Sequence, residues 1–184
     1  RFVPKSRQTL LFSATMPPDI QKLAAKYLKD PVRVTIGAVS QPVREITQSV
    51  IQTTVATKND TLMDELNARE GSVLIFARTK RRTDRVARLL AQCGYKASRI
   101  HGDRTQKQRT DAIDGFRDGK FRILVATDIA ARGIDISHIA HVINYDLPAV
   151  PEDYIHRIGR TGRAGAEGAA LSLLTPEDRA QWRD

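Results

Sequence analysis

Residues 71–94 read GSVLIFARTKRRTDRVARLLAQCG. The four residues Val73 to Phe76 are apolar without alternation, the pattern of a strand covered on both faces. After Thr79 the period changes. Val86, Leu89, Leu90 and Cys93 stand at i, i+3, i+4 and i+7, one face of a helix, and Gly94 stops it. A buried strand running into an amphipathic helix is half of a βαβ unit, and RILVA at 122–126 repeats the unalternated strand. Working outward, strands are predicted at 9–12, 32–36, 46–53, 72–76, 96–100, 122–126, 141–145 and 169–174, with helical patterns between them. One helix opens at Thr105, whose hydroxyl can cap while Gln108 reaches back, and ends at Gly119. Strands alternating with helices give an α/β fold: a parallel sheet with helices on both sides.

GAVSQPVR at 37–44 interrupts this rhythm with turn residues and no periodicity. It divides the chain into residues 1–36, the tail of one α/β unit, a linker at 37–44, and a second unit at 45–184. The opening RFVPKSRQTLLFS reads as the continuation of something longer.

The 184 residues are 41% hydrophobic and 28% charged, an ordinary globular composition. No apolar run approaches the roughly 18 residues of a membrane span. The formal charge of +9 suggests a polyanionic partner, nucleic acid first, although a solvated basic surface has the same charge. Cys93 is the single cysteine, so neither an internal disulfide nor a zinc site is available. It reads as buried and inert, in a reducing, cytosolic compartment.

In open parallel sheets, ligands gather beyond the carboxyl ends of the strands. Here each end carries a polar loop: SAT, ARTK, HGDRTQ, TDIAARGID and NYDLP. Gln106 and Arg109 share a face in the first turn of a helix, where free N–H groups and a guanidinium suit a phosphate; a solvated helix start fits these two equally well. Thr127 with Asp128, and Thr79 with Lys80, offer two more phosphate-sized places. Three along one edge suit a nucleic-acid backbone. YIHRIGRTGRAG at 154–165 adds Arg157, Arg160 and Arg163 threaded with glycines. His156 and Arg160 share a helical face, arginine's planar fork matches phosphate, and glycine allows close backbone approach. GRTG also has the form of a KH clamp, but the parallel α/β pattern does not fit that fold, and the glycine spacing is not a dinucleotide fingerprint. The phosphate loop G-x-x-x-x-G-K-[ST] does not occur, so these arginines form part of a phosphoryl-transfer site, with no metal ligands of its own.

SAT at 13–15, LIFARTK at 74–80, HGD at 101–103, QKQR at 106–109, ATDIAARGID at 126–135 and HRIGRTGR at 156–163 occur in that order. Together they resemble motifs III, IV, IVa, V and VI of the DEAD-box RNA helicases, with HGD just before motif IVa. The resemblance covers nearly the whole chain, and its style is bacterial. It implies a RecA-like three-layer sandwich, the second of two such domains, with ATP in the cleft between them and single-stranded RNA across both. The Q motif, phosphate loop and Asp-Glu-Ala-Asp box have no counterpart here. ATP and Mg2+ would therefore be held mainly by an N-terminal RecA-like domain, the chain's own partner, and the fragment alone would be inactive. On matching positions the resemblance makes Arg160 and Arg163 arginine fingers and lets His156 link the γ-phosphate region to Ser13 and Thr15. Asp135 would bind ribose, with Gly133 allowing close approach, and Arg132 would contact the other domain. Thr79, Gly102, Asp103, Gln106, Arg109 and Thr127 would hold RNA phosphates and sugars. Closure on both ligands would separate short duplexes locally, in a cytoplasmic protein. A non-catalytic RNA- or protein-binding module is the alternative from another class; a DNA translocase of the same superfamily is disfavoured by His156 and HGD.

Overall fold

The computed structural model describes residues 3–4, 6–13, 16–35, 46–131, 136, 139–162 and 167–183. The chain forms two compact units, Arg1–Gln41 and Pro42–Asp184. The expected linker at 37–44 lies outside the described residues.

In the first unit, helix α1 (Pro18–Tyr27) starts on two prolines, with Asp19 in its first turn and Lys26 in its last, complementing the helix dipole. None of its residues is buried. The strands expected at 9–12 and 32–36 do not form at the described positions. Leu10, Phe12, Val32 and Val34 stand strongly exposed. A strand needs a neighbour to take its N–H and C=O groups, and the described residues of this unit provide none.

The second unit is built on six parallel strands: β1 (Ile46–Gln52), β2 (Val73–Phe76), β3 (Ala97–Ile100), β4 (Ile123–Ala126), β5 (His141–Asn144) and β6 (Gly168–Leu174). Their order across the sheet is β1-β6-β5-β2-β4-β3. β2 lies between β4 and β5 in matched register, Val73 opposite both Ile123 and His141, and all four of its residues are buried. That is the environment its unbroken apolar run foretold. The helices are α2 (Lys58–Asn67), α3 (Lys80–Gln92), α4 (Gln106–Arg117), the short α5 (Asp128–Ala131), α6 (Pro151–Ile158) and, after a 3-10 turn at Pro176–Asp178, α7 (Arg179–Arg183).

Two cores sandwich the sheet. Leu62 and Leu66 of α2 and Val86, Ala87 and Leu90 of α3 pack with Val73, Ile75, Ile123, Val125 and Ile143. On the other face, Ala112 and Phe116 of α4, Ala130 and Ala131 of α5 and Ile158 of α6 pack with Leu74, Phe76, Leu124, Ala126 and Val142. Alternate side chains of each strand serve opposite cores.

The buried stripe of α3 is Thr83, Val86, Ala87 and Leu90, about one residue's rotation from the predicted face. Continuing it reaches Gly94, so Cys93, expected to be buried, is exposed just past the helix end. Gly94 and Gly119 both have positive φ, 84° and 74°, and end their helices as read from the sequence.

His141, at the start of β5, donates from Nε2 to Glu70 O at 2.8 Å, while its buried Nδ1 has no partner. Burial, with Arg69 and Arg122 nearby, holds its pKa below the usual 6.5 against the raising effect of the Glu70 bond. The folded state therefore binds fewer protons than the unfolded chain just below pH 6.5, so stability falls as pH drops through that window. Chemical denaturation at pH 7.5 and 5 is expected to show the loss, and His141→Gln to make the curve flatter.

Candidate functional site

Because every strand is parallel, the loops leaving β2, β3, β4 and β5 emerge at one edge of the sheet. The end of β2 gives Thr79, which caps α3 by accepting from Arg82 N at 3.1 Å and keeps its own hydroxyl proton for a further acceptor. Lys80 follows, paired with Asp103 across the gap to the β3 loop, Nζ to Oδ1 2.5 Å. Gly102 lies against the Lys80 stem, where an added Cβ would stand 3.2 Å from Lys80 Cε. Thr79, Lys80, Gly102 and Asp103, expected to act together, are thus brought together.

The β3 loop is held from beneath. His101 is 4% exposed. Its Nδ1 accepts weakly from Asp103 N at 3.4 Å and its Nε2 faces Asp84 Oδ1 at 3.2 Å, which Arg99 Nε also meets at 2.5 Å. Accepting at Nδ1 makes Nε2 the protonated nitrogen, so Asp84 fixes both tautomer and ring angle. Burial, the largest single effect, raises the Asp84 carboxyl, but hydrogen bonds and charge from His101 and Arg99 together hold it below its usual range.

α4 opens beside this loop with the anticipated capping box: Thr105 Oγ1 accepts from Gln108 N at 3.3 Å and Gln108 Oε1 from Thr105 N at 3.1 Å. Gln106 is exposed at its first turn. Arg109, half-buried, reaches Ala130 O at 3.5 Å, while its buried Nε has no partner. That contact joins α4 to α5, which follows Thr127 and begins at Asp128. Thr127 is 8% exposed, and its N–H donates to Ile100 O at 3.3 Å.

Asp128, expected among the phosphate-holding residues, is committed elsewhere. Its oxygens meet Arg157 Nε at 2.5 Å and Nη2 at 2.8 Å. Arg157 is 1% exposed. Its Nη1 also donates to Asn144 Oδ1 at 3.1 Å and Asp146 O at 2.5 Å, and its guanidinium lies 4.9 Å from the centre of the Phe76 ring. One of the three arginines in the glycine-rich stretch is therefore an internal tie between α6, α5 and the end of β5. The sequence did carry a signal: Tyr154, Arg157 and Ile158 stand at i, i+3 and i+4, the stripe that packs on the sheet.

That packing turns His156 and Arg160 outward. Both are half-buried, and with Phe76, Asp128, Ala131, Asp153 and Arg157 they line a small, open recess. Arg160 lies in the turn after α6 and donates from Nε to His156 O at 3.3 Å. Thr161 locks that turn through Oγ1 to Ile139 O and to Ala140 O, and Gly162 supplies the positive φ of 64°. A Cβ on Gly168 would stand 2.4 Å from Gly162 N. At these two positions glycine serves the turn and the close packing of chain on chain. Arg163, Arg132, Gly133, Asp135 and Thr15 lie outside the described residues; Ser13 is described, in the first unit.

A second cluster at the edge was not anticipated as structure. Asp146, 2% exposed, accepts from Arg78 N at 3.0 Å and from Arg82 Nη1 at 2.7 Å, with Lys58 Nζ 3.5 Å away. Lys58 also approaches Asp178 at 3.9 Å and lies 4.9 Å from the Tyr145 ring centre. Burial lowers the Lys58 pKa, and the two carboxylates offset part of that. The NYDLP loop, read as part of the working edge, in fact braces the β2 loop from inside.

A family model described as the helicase conserved C-terminal domain matches residues 57–165. Escherichia coli DEAD-box protein SrmB, solved bound to regulator of ribonuclease activity A, is 34% identical; the match covers 74% of this chain and 82% of that one, with a TM-score of 0.69. The chain belongs to the DEAD-box helicase family. DEAD-box ATP-dependent RNA helicase CshA of Bacillus subtilis is 45% identical over 98% of this chain and 37% of its own length. ATP-dependent RNA helicase DBP2 of Candida albicans is 48% identical over 92% of this chain and 31% of its own. This DEAD-box chain thus spans about a third of the length of the curated relatives it matches. Saccharomyces cerevisiae Dbp5, solved bound to RNA and ADP BeF3, superimposes with a TM-score of 0.84 at 33% identity, covering 98% of this chain and 48% of that one. The RecA-like parallel α/β architecture is common to them. Among the described residues no helix is long and apolar enough to cross a membrane, and no three His, Cys, Asp or Glu side chains gather as a metal site.

Proposed function

We propose that this chain is the C-terminal core of an ATP-dependent RNA helicase, binding the RNA backbone along its strand-end edge and presenting cations to ATP held mainly by a preceding domain. The observation that carries the reading is the shared edge. Thr79, Lys80, Gly102, Asp103, Gln106, Arg109 and Thr127 come from the segments that follow three strands, β2, β3 and β4, and lie beside the recess lined by His156 and Arg160. Hydroxyls, helix-start N–H groups and guanidiniums are donors suited to phosphates and sugars. The Lys80–Asp103 pair is exposed and worth little by itself, so a phosphate can replace the carboxylate at small cost.

Residues 1–36 are then the end of the first helicase domain, 37–44 the linker and 45–184 the second domain. The exposed Leu10, Phe12, Val32 and Val34 support this division, since they need a sheet to join.

For ATP, the recess is far too small to enclose a whole nucleotide, since typical small-molecule pockets run to roughly 300–1,000 Å³. Its residues suit one end of the nucleotide: Arg160 and His156 would meet the terminal phosphate, joined by Arg163. Asp135 and Gly133 would serve the ribose, and Arg132, Ser13 and Thr15 would couple the domains. Mg2+ would enter with ATP on the N-terminal domain. When bound, ATP supplies the γ-phosphoryl group for transfer to water. The chain's own part is to hold fixed positive charge where negative charge develops, and only when the domains meet. RNA and ATP each favour that closure, so each tightens binding of the other, and the strained duplex separates locally.

Arg109→Ala tests the edge. RNA binding is expected to weaken to a similar degree for all base sequences, with the salt slope smaller by about one contact. A loss that depends on base identity would overturn the backbone reading, and equal binding of DNA would overturn the preference for RNA.

A further inference from the structure

Helix α3 carries charge that the strand-end edge does not use. Its thirteen residues, KRRTDRVARLLAQ, hold five cations and one carboxylate. Turning 100° per residue, Arg81, Arg85 and Arg88 fall directly opposite the buried stripe of Thr83, Val86, Ala87 and Leu90. All three are exposed. The neighbouring cations are neutralised, Lys80 by Asp103 and Arg82 by Asp146, and Asp84 is occupied by Arg99 and His101. No ion pair to Arg81, Arg85 or Arg88 occurs among the described residues.

This arrangement works against the helix that bears it. Lys80, Arg81 and Arg82 occupy the first turn without an acid, where the helix dipole disfavours cations. Arg81, Arg85 and Arg88 are like-charged neighbours at helical spacing. α6 of the same domain does the opposite, with Glu152 and Asp153 in its first turn and His156 and Arg157 in its last. A local conflict kept on a rigid, well-packed helix points to an external ligand. Polyanions are the class that relieves it.

We infer that the outward face of α3 is a second phosphate-backbone contact, taking RNA that has left the strand-end edge; this rests on the backbone reading above. The three arginines descend about 10 Å along the axis from Thr79 and Lys80, so the track continues from the edge without a break. None of the large exposed hydrophobic side chains belongs to α3. An acidic protein partner would lack the apolar anchor on which protein interfaces depend, whereas a phosphate chain needs none.

The test is the triple variant R81Q/R85Q/R88Q, bound to oligouridylate of 6 and 24 nucleotides at 50 and 200 mM salt, with poly-glutamate as a third probe. Its melting temperature is expected to be unchanged or raised. Removing three contacts lowers the salt slope for the 24-mer by about two, so its deficit against the parent is on the order of tenfold larger at 50 mM than at 200 mM. The 6-mer, which fills only the edge, binds the variant and the parent alike. An unchanged 24-mer slope, an equal loss for both lengths, or a loss confined to poly-glutamate overturns the inference. Arg109→Ala separates the two ideas: it weakens both lengths if the edge reading holds, and if both are untouched while the triple variant still loses the 24-mer, the edge reading fails and with it the continuous track, leaving α3 as an isolated contact.

Discussion

Arg157→Ala is expected to destabilise the domain by about 3–5 kcal/mol, the range found when one partner of a buried ion pair is removed. The figure follows from what the guanidinium leaves behind. Asp128 loses both of its close N–H donors, while Asn144 Oδ1 and Asp146 O, in residues 0% and 2% exposed, lose the donor they share. Each unpaired buried acceptor carries its own desolvation penalty, and the space over the Phe76 ring empties. Lysine cannot rescue the site, because a single ammonium has no planar fork to reach Asp128 of α5, Asn144 of β5 and Asp146 O at once. The denaturant midpoint of the purified chain checks the prediction. A double-mutant cycle with Asp128→Asn sharpens it. The double variant should lose clearly less than the two single losses combined, because neutralising Asp128 removes the stranded charge. Additive losses would mean that Arg157 acts independently of Asp128, through packing and its bonds to Asn144 and Asp146.

That residue also marks how far the sequence could be read. The α/β class, the six strands of the second unit, the capping box at Thr105 and the stops at Gly94 and Gly119 were all legible, because they depend on apolar period and local hydrogen bonding. The strands expected at 9–12 and 32–36 were not settled in the same way: β tendency is local, but pairing is not. Cys93 went wrong by one step of helical rotation, which four apolar residues at the end of a helix cannot fix. The candidate site was legible as a set of loops, since parallel topology alone sends them to one edge. The division of labour inside it was hidden. Arg157, Arg160 and Arg163 look alike in HRIGRTGR, and only the packing of Tyr154, Ile155 and Ile158 shows which guanidinium turns inward. Asp128 and Asp146 likewise look like loop carboxylates, yet both neutralise internal cations.

If the proposed function holds, Arg160→Ala, in a protein that carries this chain behind the proposed nucleotide-binding domain, is expected to lower RNA-stimulated ATP turnover by about 10³–10⁵, equivalent to roughly 4–7 kcal/mol of transition-state stabilisation. Fold and ground-state binding should change little, for a structural reason. Arg160 lies in a turn that Thr161 holds through two carbonyls and that Gly162 shapes by its own φ, so the loop does not need the arginine side chain to keep its course. Its Nε bond to His156 O, at 3.3 Å, is weak. What the guanidinium contributes is fixed charge at the rim of a recess, and charge of that kind acts most strongly where phosphoryl oxygens become more negative on the way to the transition state. ATP and RNA affinities should therefore stay within a few-fold of the parent while kcat collapses. Arg160→Lys should recover only a small part, since it restores the charge without the two-pronged geometry. Turnover that survives Arg160→Ala would remove this residue from the transition state. A rise in KM with kcat unchanged would make it a ground-state binding group instead.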